Sequence, residues 1–101
     1  MKIVFSSLFK RDLAEEEARY ERISPRLGQE FRGRVEEATR AVIRWKGGDH
    51  VGPHGFPCRR CRPFPFLVYY TIEDDALYFL GLVHEQRHPE FLKRKLAGDE
   101  G

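Results

Sequence analysis

The sequence predicts an α+β fold: an N-terminal strand, an α-helical hairpin packed on an antiparallel β-sheet, and a short C-terminal helix. Three observations carry that reading. Leu27, Phe31, Val35, Ala38, Val42 and Trp45 recur at spacings of 4, 4, 3, 4 and 3, a continuous apolar seam at helical period. FLVYYTI (66–72) and ALYFLGLVH (76–84) are aromatic and β-branched, and they flank the polar turn Glu73-Asp74-Asp75. Helix formers dominate the chain before residue 47 and strand formers dominate it after residue 57, a segregation that places helices on one face of a sheet.

Taken in order, residues 1–6 form the first strand, on the β-branched and aromatic run from Lys2 to Ser6. Residues 8–46 form the helical hairpin. Its first arm, Leu8 to about Ile23, is rich in Ala, Leu, Glu and Arg, with Phe9, Leu13 and Tyr20 on one side. Ser24-Pro25 caps and restarts a helix, and Gly47-Gly48 stands close to where a C-cap glycine belongs. Phe31, Val35, Val42 and Trp45 are expected in the core. Residues 58–84 form antiparallel strands, the first of them running from Cys58 to Pro63, and 89–97 form a basic tail helix. All of it is expected to make one domain, 1–101.

Composition narrows the function classes. At 41% hydrophobic and 34% charged the chain reads as a soluble globular protein. No apolar run approaches the ~20 residues of a membrane span, so no membrane partner is expected. The N-terminal MKIVFSSLFKRD is too short and too soon charged for a signal peptide. With only two cysteines, this points to a reducing cytoplasm. The net charge of +2 excludes a global polycation. Charge is uneven locally, however. Between His50 and Ile72 stand Arg59, Arg60 and Arg62 with no acidic residue, and the C-terminal end adds Arg87, Lys93, Arg94 and Lys95.

The stretch HVGPHGFPCRRCRPFPF (50–66) holds His50, His54, Cys58 and Cys61, donors of the kind a structural zinc site uses. On a strand, though, residues three apart point to opposite faces, which separates Cys58 from Cys61. No metal and no cofactor are therefore expected, and both cysteines read as free thiols. By the same alternation Arg60 and Arg62 share one face and Arg59 and Cys61 the other. Tyr69 and Tyr70 likewise point apart, so at most one of them faces an active surface.

Leu27-Gly28 and Phe31 on the second helix, Arg59-Arg60, then FPFLVYYTIEDDALYFLGLVH and the closing HEQRHPEF follow one another in an order that resembles the RelE/ParE superfamily of type II toxin–antitoxin toxins. The family ending is matched by Phe64-Pro65, Val68, Tyr69-Tyr70, Ile72, His84, Arg87 and Pro89. The resemblance runs from Ile3 to about Phe91. It implies a RelE/ParE-like fold, a growth-regulating toxin of the plasmid-stabilisation kind, and a cognate antitoxin as partner, in a toxin–antitoxin hetero-oligomer or a homodimer.

Two activities share that fold. A ParE-like member poisons DNA gyrase without catalysis, and the resemblance then assigns target or antitoxin binding to Arg59, Arg60, Arg62, Arg87, Lys93, Arg94 and Lys95. A RelE-like member cleaves mRNA on the ribosome. Its catalytic set here would be His84, Arg60 and Arg87, with Arg59 also near the phosphate. In RNase members an arginine typically precedes the "LVY" of the central strand, where this chain has Phe66. Replacing a phosphate-binding fork with a phenyl ring tilts the reading towards the ParE-like branch. A third possibility is an inactive homologue or a small zinc-stabilised interaction module.

Overall fold

Ser6 closes the first strand and opens the first helix with one hydroxyl. In the computed structural model, which describes residues 1–46, 48–52 and 55–86, β1 (Lys2–Phe5) leads into α1 (Ser7–Ile23). The Ser6 side chain accepts from the Phe9 N–H at 3.0 Å and donates to the Leu80 carbonyl at 2.9 Å. Ser24 performs a double task at the next boundary. Its extended backbone donates to Tyr20 O and ends α1, while its hydroxyl accepts from the Leu27 N–H and starts α2 (Pro25–Trp45). A hinge this short folds the two helices into a hairpin. A Cβ added to Gly28 would stand 3.0–3.2 Å from the Glu21 backbone and Cβ.

The strands β2 (Cys58–Arg60), β3 (Phe66–Glu73) and β4 (Ala76–His84) complete the α+β fold. They stand in the order β1-β4-β3-β2. β3 and β4 are an antiparallel hairpin closed by Asp74 and Asp75, whose φ angles of 48° and 62° are the left-handed pair that a tight two-residue turn needs. β1 runs parallel to β4, pairing Lys2 with Ala76 and Phe5 with Phe79, so the sheet is mixed and not wholly antiparallel. Opposite Tyr69-Tyr70 the register slips by one: Phe79 pairs with Tyr70 and Gly81 with Tyr69, leaving Leu80 as the extra residue of a bulge.

The helix hairpin covers one face of the sheet. Phe9, Phe31, Val35, Ala38 and Val42 pack there on Val68, Tyr70, Leu77, Phe79 and Leu82. Asp12 of α1 is buried in this layer, and its carboxylate accepts from the Leu82 N–H at 3.4 Å just past the bulge. Tyr69 and Val83 face the other way, against Phe56, Cys58, Leu67 and Leu80.

Several expectations are corrected here. Trp45 is 68% exposed, because α2 outruns the sheet and its apolar seam loses its partner layer after Val42. Lys46, not a glycine, holds the left-handed cap of α2, at φ 50° and ψ 48°; Gly47 lies outside the described residues. The first strand of the C-terminal half stops at Arg60. Cys61, Phe64 and Phe66 instead tie a turn (Phe64 N–H to Cys61 O, Phe66 N–H to Phe64 O), and Pro63 and Pro65 have no N–H to continue a ladder. Tyr69 and Tyr70 do point to opposite faces, but both are fully buried. The expected tail helix, 89–97, lies outside the described residues.

Candidate functional site

The short edge strand β2 and the side of α2 next to it enclose a groove of about 260 Å³. It is lined by Arg34, Glu37, Ala38 and Ala41 of α2 and by Arg59, Arg60, Cys61 and Arg62. Thus the three arginines of the sequence motif do come together, and the helix adds a fourth. Arg34 was not anticipated. Its signal is faint: Arg34, Ala38 and Ala41 sit at helical spacing, but only the docking of α2 beside β2 gives that spacing a meaning.

The arginines are not free of acids, as the sequence window had implied. Asp49, one residue before that window, holds Arg59 through Oδ1 at 3.0 Å. Its Oδ2 accepts from the Tyr70 hydroxyl at 2.6 Å. Burial, and after it this bond to a carboxylate, raise the Tyr70 pKa well above the ordinary phenol value. Glu37 pairs with Arg34 at 3.6 Å on the exposed helix surface. Among the described residues neither Arg60 nor Arg62 has a carboxylate within ion-pair distance.

A second cleft, of about 310 Å³, opens at the end of the β3–β4 hairpin against α1 and is lined by Glu16, Arg19, Phe66, Leu82, Val83, His84 and Gln86. His84 pairs across the ladder with Phe66, and its ring stands edge-on to the phenyl at 5.3 Å. Its Nδ1 accepts from the Gln86 N–H at 3.1 Å, which in the neutral imidazole leaves the proton on Nε2. Glu16 and Arg19 meet at 3.4 Å beside it. Phe66 itself is 4% exposed and belongs to an aromatic cluster with Tyr20, Phe31 and Phe64, ring centres 4.9–6.5 Å apart.

His84 and Arg60 therefore line different grooves. Arg60 pairs with Leu67, which packs on the face away from the helices, whereas the partner of His84 is Phe66, in the helix-facing core. Arg87, Lys93, Arg94 and Lys95 lie outside the described residues.

The two thiols are separated as well. Cys61 is in the helix-side core and Cys58 packs on the opposite face beside Tyr69. Burial pushes Cys61 up to about 12 and raises Cys58. The loop that suggested a metal site is a cover for that opposite face. Gly52 N–H bonds to Phe56 O at 2.7 Å and Cys58 N–H to His50 O at 3.2 Å, and Gly52 sits so near Tyr69 that an added Cβ would be 3.0 Å from its ring. His54 lies outside the described residues.

Among known families, the model of the ParE toxin of type II toxin–antitoxin system, parDE, matches residues 3–89. No curated protein and no solved structure matches the chain.

Proposed function

The chain belongs to the ParE toxin family of type II toxin–antitoxin systems, and on that premise we propose that it inhibits DNA gyrase without catalysis and is neutralised by a cognate antitoxin. The observation that carries this reading is Phe66. Where an RNase of this fold would present an arginine to the scissile phosphate, this chain has a phenyl ring locked among Tyr20, Phe31 and Phe64. Arginines and a histidine cleave a phosphodiester only when they converge on one phosphate. Here Arg60 and His84 belong to separate grooves, an arrangement that supports binding over cleavage. Arg59, Arg60 and Arg62 serve as the contact surface for a protein partner, and Arg87, Lys93, Arg94 and Lys95 extend the basic character towards the C-terminus.

Induction of the chain in bacteria without its antitoxin is expected to cause filamentation and DNA damage, and the purified protein to block supercoiling by gyrase. His84→Ala is expected to leave both effects within about twofold. Translation arrest with cleaved mRNA, abolished by His84→Ala, would replace this reading with that of a ribosome-dependent endonuclease.

A further inference from the structure

We propose that Asp49 is a positioning residue: backed by Tyr70, it holds the Arg59 guanidinium in a set orientation and makes Arg59 the anchor among the arginines through which this toxin acts. The inference rests on the reading of those arginines as a contact surface, and it is independent of which target they meet.

The sheet sets the geometry. Arg59 stands opposite Val68 on β3, and Val68 belongs to the helix-side core. Tyr70 is two residues further along β3 and on the same face, a diagonal neighbour across the ladder. Asp49 lies in the chain between the end of α2 and β2, and it reaches both side chains with one oxygen each. Oδ1 accepts from Arg59 at 3.0 Å and Oδ2 from the Tyr70 hydroxyl at 2.6 Å.

Rigidity comes from the tyrosine. An ion pair between two exposed side chains is loose and contributes little. Here the carboxylate is only 16% exposed, and its second oxygen takes a short, charge-assisted hydrogen bond. The donor, Tyr70, is fully buried, and its own N–H bonds to Pro57 O at 3.1 Å, just ahead of β2. Arg59 thus inherits its orientation from the central strand.

The guanidinium is held without being used up. Its side chain remains 36% exposed, and only NH1 is engaged by Asp49. Since the donors of a guanidinium lie in one rigid plane, fixing one edge aims the others. The neighbouring arginines lack this support. Arg60 and Arg62 are exposed, with no carboxylate within ion-pair distance among the described residues, and Arg34 has only the exposed Glu37 at 3.6 Å. A free arginine must lose its rotamer freedom on contact, which weakens that contact by roughly two- to tenfold relative to one already held.

Growth arrest by the full chain, induced in bacteria to graded levels measured by immunoblot, reads the contact without naming the target. Arg59→Ala is expected to need at least ~10-fold more protein for half-maximal arrest, more than Arg60→Ala or Arg62→Ala needs. Arg59→Lys is expected to recover little of this, because an ammonium lacks the planar fork. Asp49→Ala and Tyr70→Phe are expected to raise the requirement about three- to tenfold, and to add nothing in the Arg59→Ala background. A plain loss of folding would add there, and thermal melts of the purified variants measure it. Nitrogen-15 relaxation at the arginine Nε–Hε groups tests the positioning directly: Arg59 is expected to be rigid in the wild type and mobile in Tyr70→Phe, with Arg60 mobile in both.

Undiminished arrest by Asp49→Ala, a cost for Arg60→Ala equal to that for Arg59→Ala, or an Arg59 side chain as mobile as Arg60 in the wild type would each overturn the proposal. Arrest by the wild type without inhibition of gyrase refutes the proposed target alone, so the two failures are told apart. A wild type that arrests no growth refutes both.

Discussion

Burial gives several acids of this protein a preference for their neutral forms, Cys58 and Tyr70 among them. Cys61 and Tyr69 are both held up to about 12, chiefly by removal from water. In the unfolded chain they lose their protons near 9 and 10. Between those values and about 12 the unfolded state therefore binds fewer protons than the native state, and stability falls as pH rises. Below pH 9 the contribution of both groups is fully present. Urea denaturation at stepped pH is expected to show a flat response from 7 to 8.5 and a declining midpoint above 9, shallower in Cys61→Ala. A decline of equal steepness in that variant would exclude the thiol as a cause. Phe66 illustrates the same dependence on surroundings in another way. Its identity was legible as a departure from the RNase pattern, but the aromatic box that makes the position apolar exists only when α1, α2 and the 61–66 turn meet. Trp45 misled for a related reason: periodicity reports which residues share a helix face, not how far the opposing layer extends.

At the scale of elements, the helix hairpin depends on one missing side chain. Gly28 lets the start of α2 approach the Glu21 backbone, and an added Cβ would meet main-chain atoms at 3.1 and 3.2 Å that no rotamer change can move. Gly28→Ala ordinarily gains helix propensity, but here overpacking dominates. A net loss of about 1–2 kcal/mol is expected, or some 4–16 °C in Tm for a domain of this size. A melt showing equal or higher Tm would mean that the helices can part without cost. The same glycine appears in the sequence pattern shared with the toxin superfamily, and close helix approach is a physical reason for it. β2 was harder to read. CRRCRP looks like one strand, yet the prolines and the buried Cys61 turn it after three residues, which is what brings Arg62 beside α2.

At the scale of the molecule, the two layers are joined by more than apolar packing. Asp12 reaches from α1 to the Leu82 N–H, and Ser6 ties the β1–α1 corner to the carbonyl of the bulged Leu80. Both contacts bridge about seventy residues of sequence, and both hold α1 over the irregular part of β4. Asp12→Ala leaves a buried strand N–H without its acceptor, at an expected cost of about 1–3 kcal/mol. Asp12→Asn, which retains an oxygen, is expected to recover most of it. Thermal melts of the two variants decide the matter: equal destabilisation would assign the effect to the lost carboxylate charge, since Asn keeps both the volume and an acceptor oxygen. No helix among the described residues is long and apolar enough to cross a membrane.

The sequence by itself determined the α+β class, the helix hairpin with its Ser24-Pro25 hinge, the β3–β4 hairpin and the toxin resemblance. Each of these rests on local periodicity, capping or turn chemistry, which neighbouring residues specify. Only the tertiary structure decided that β1 runs parallel to β4, that Asp49 and Arg34 join the arginines of β2, and that His84 opens elsewhere. Those are meetings between residues far apart in the chain, set by which faces pack and where each layer ends. No spacing along the sequence records them.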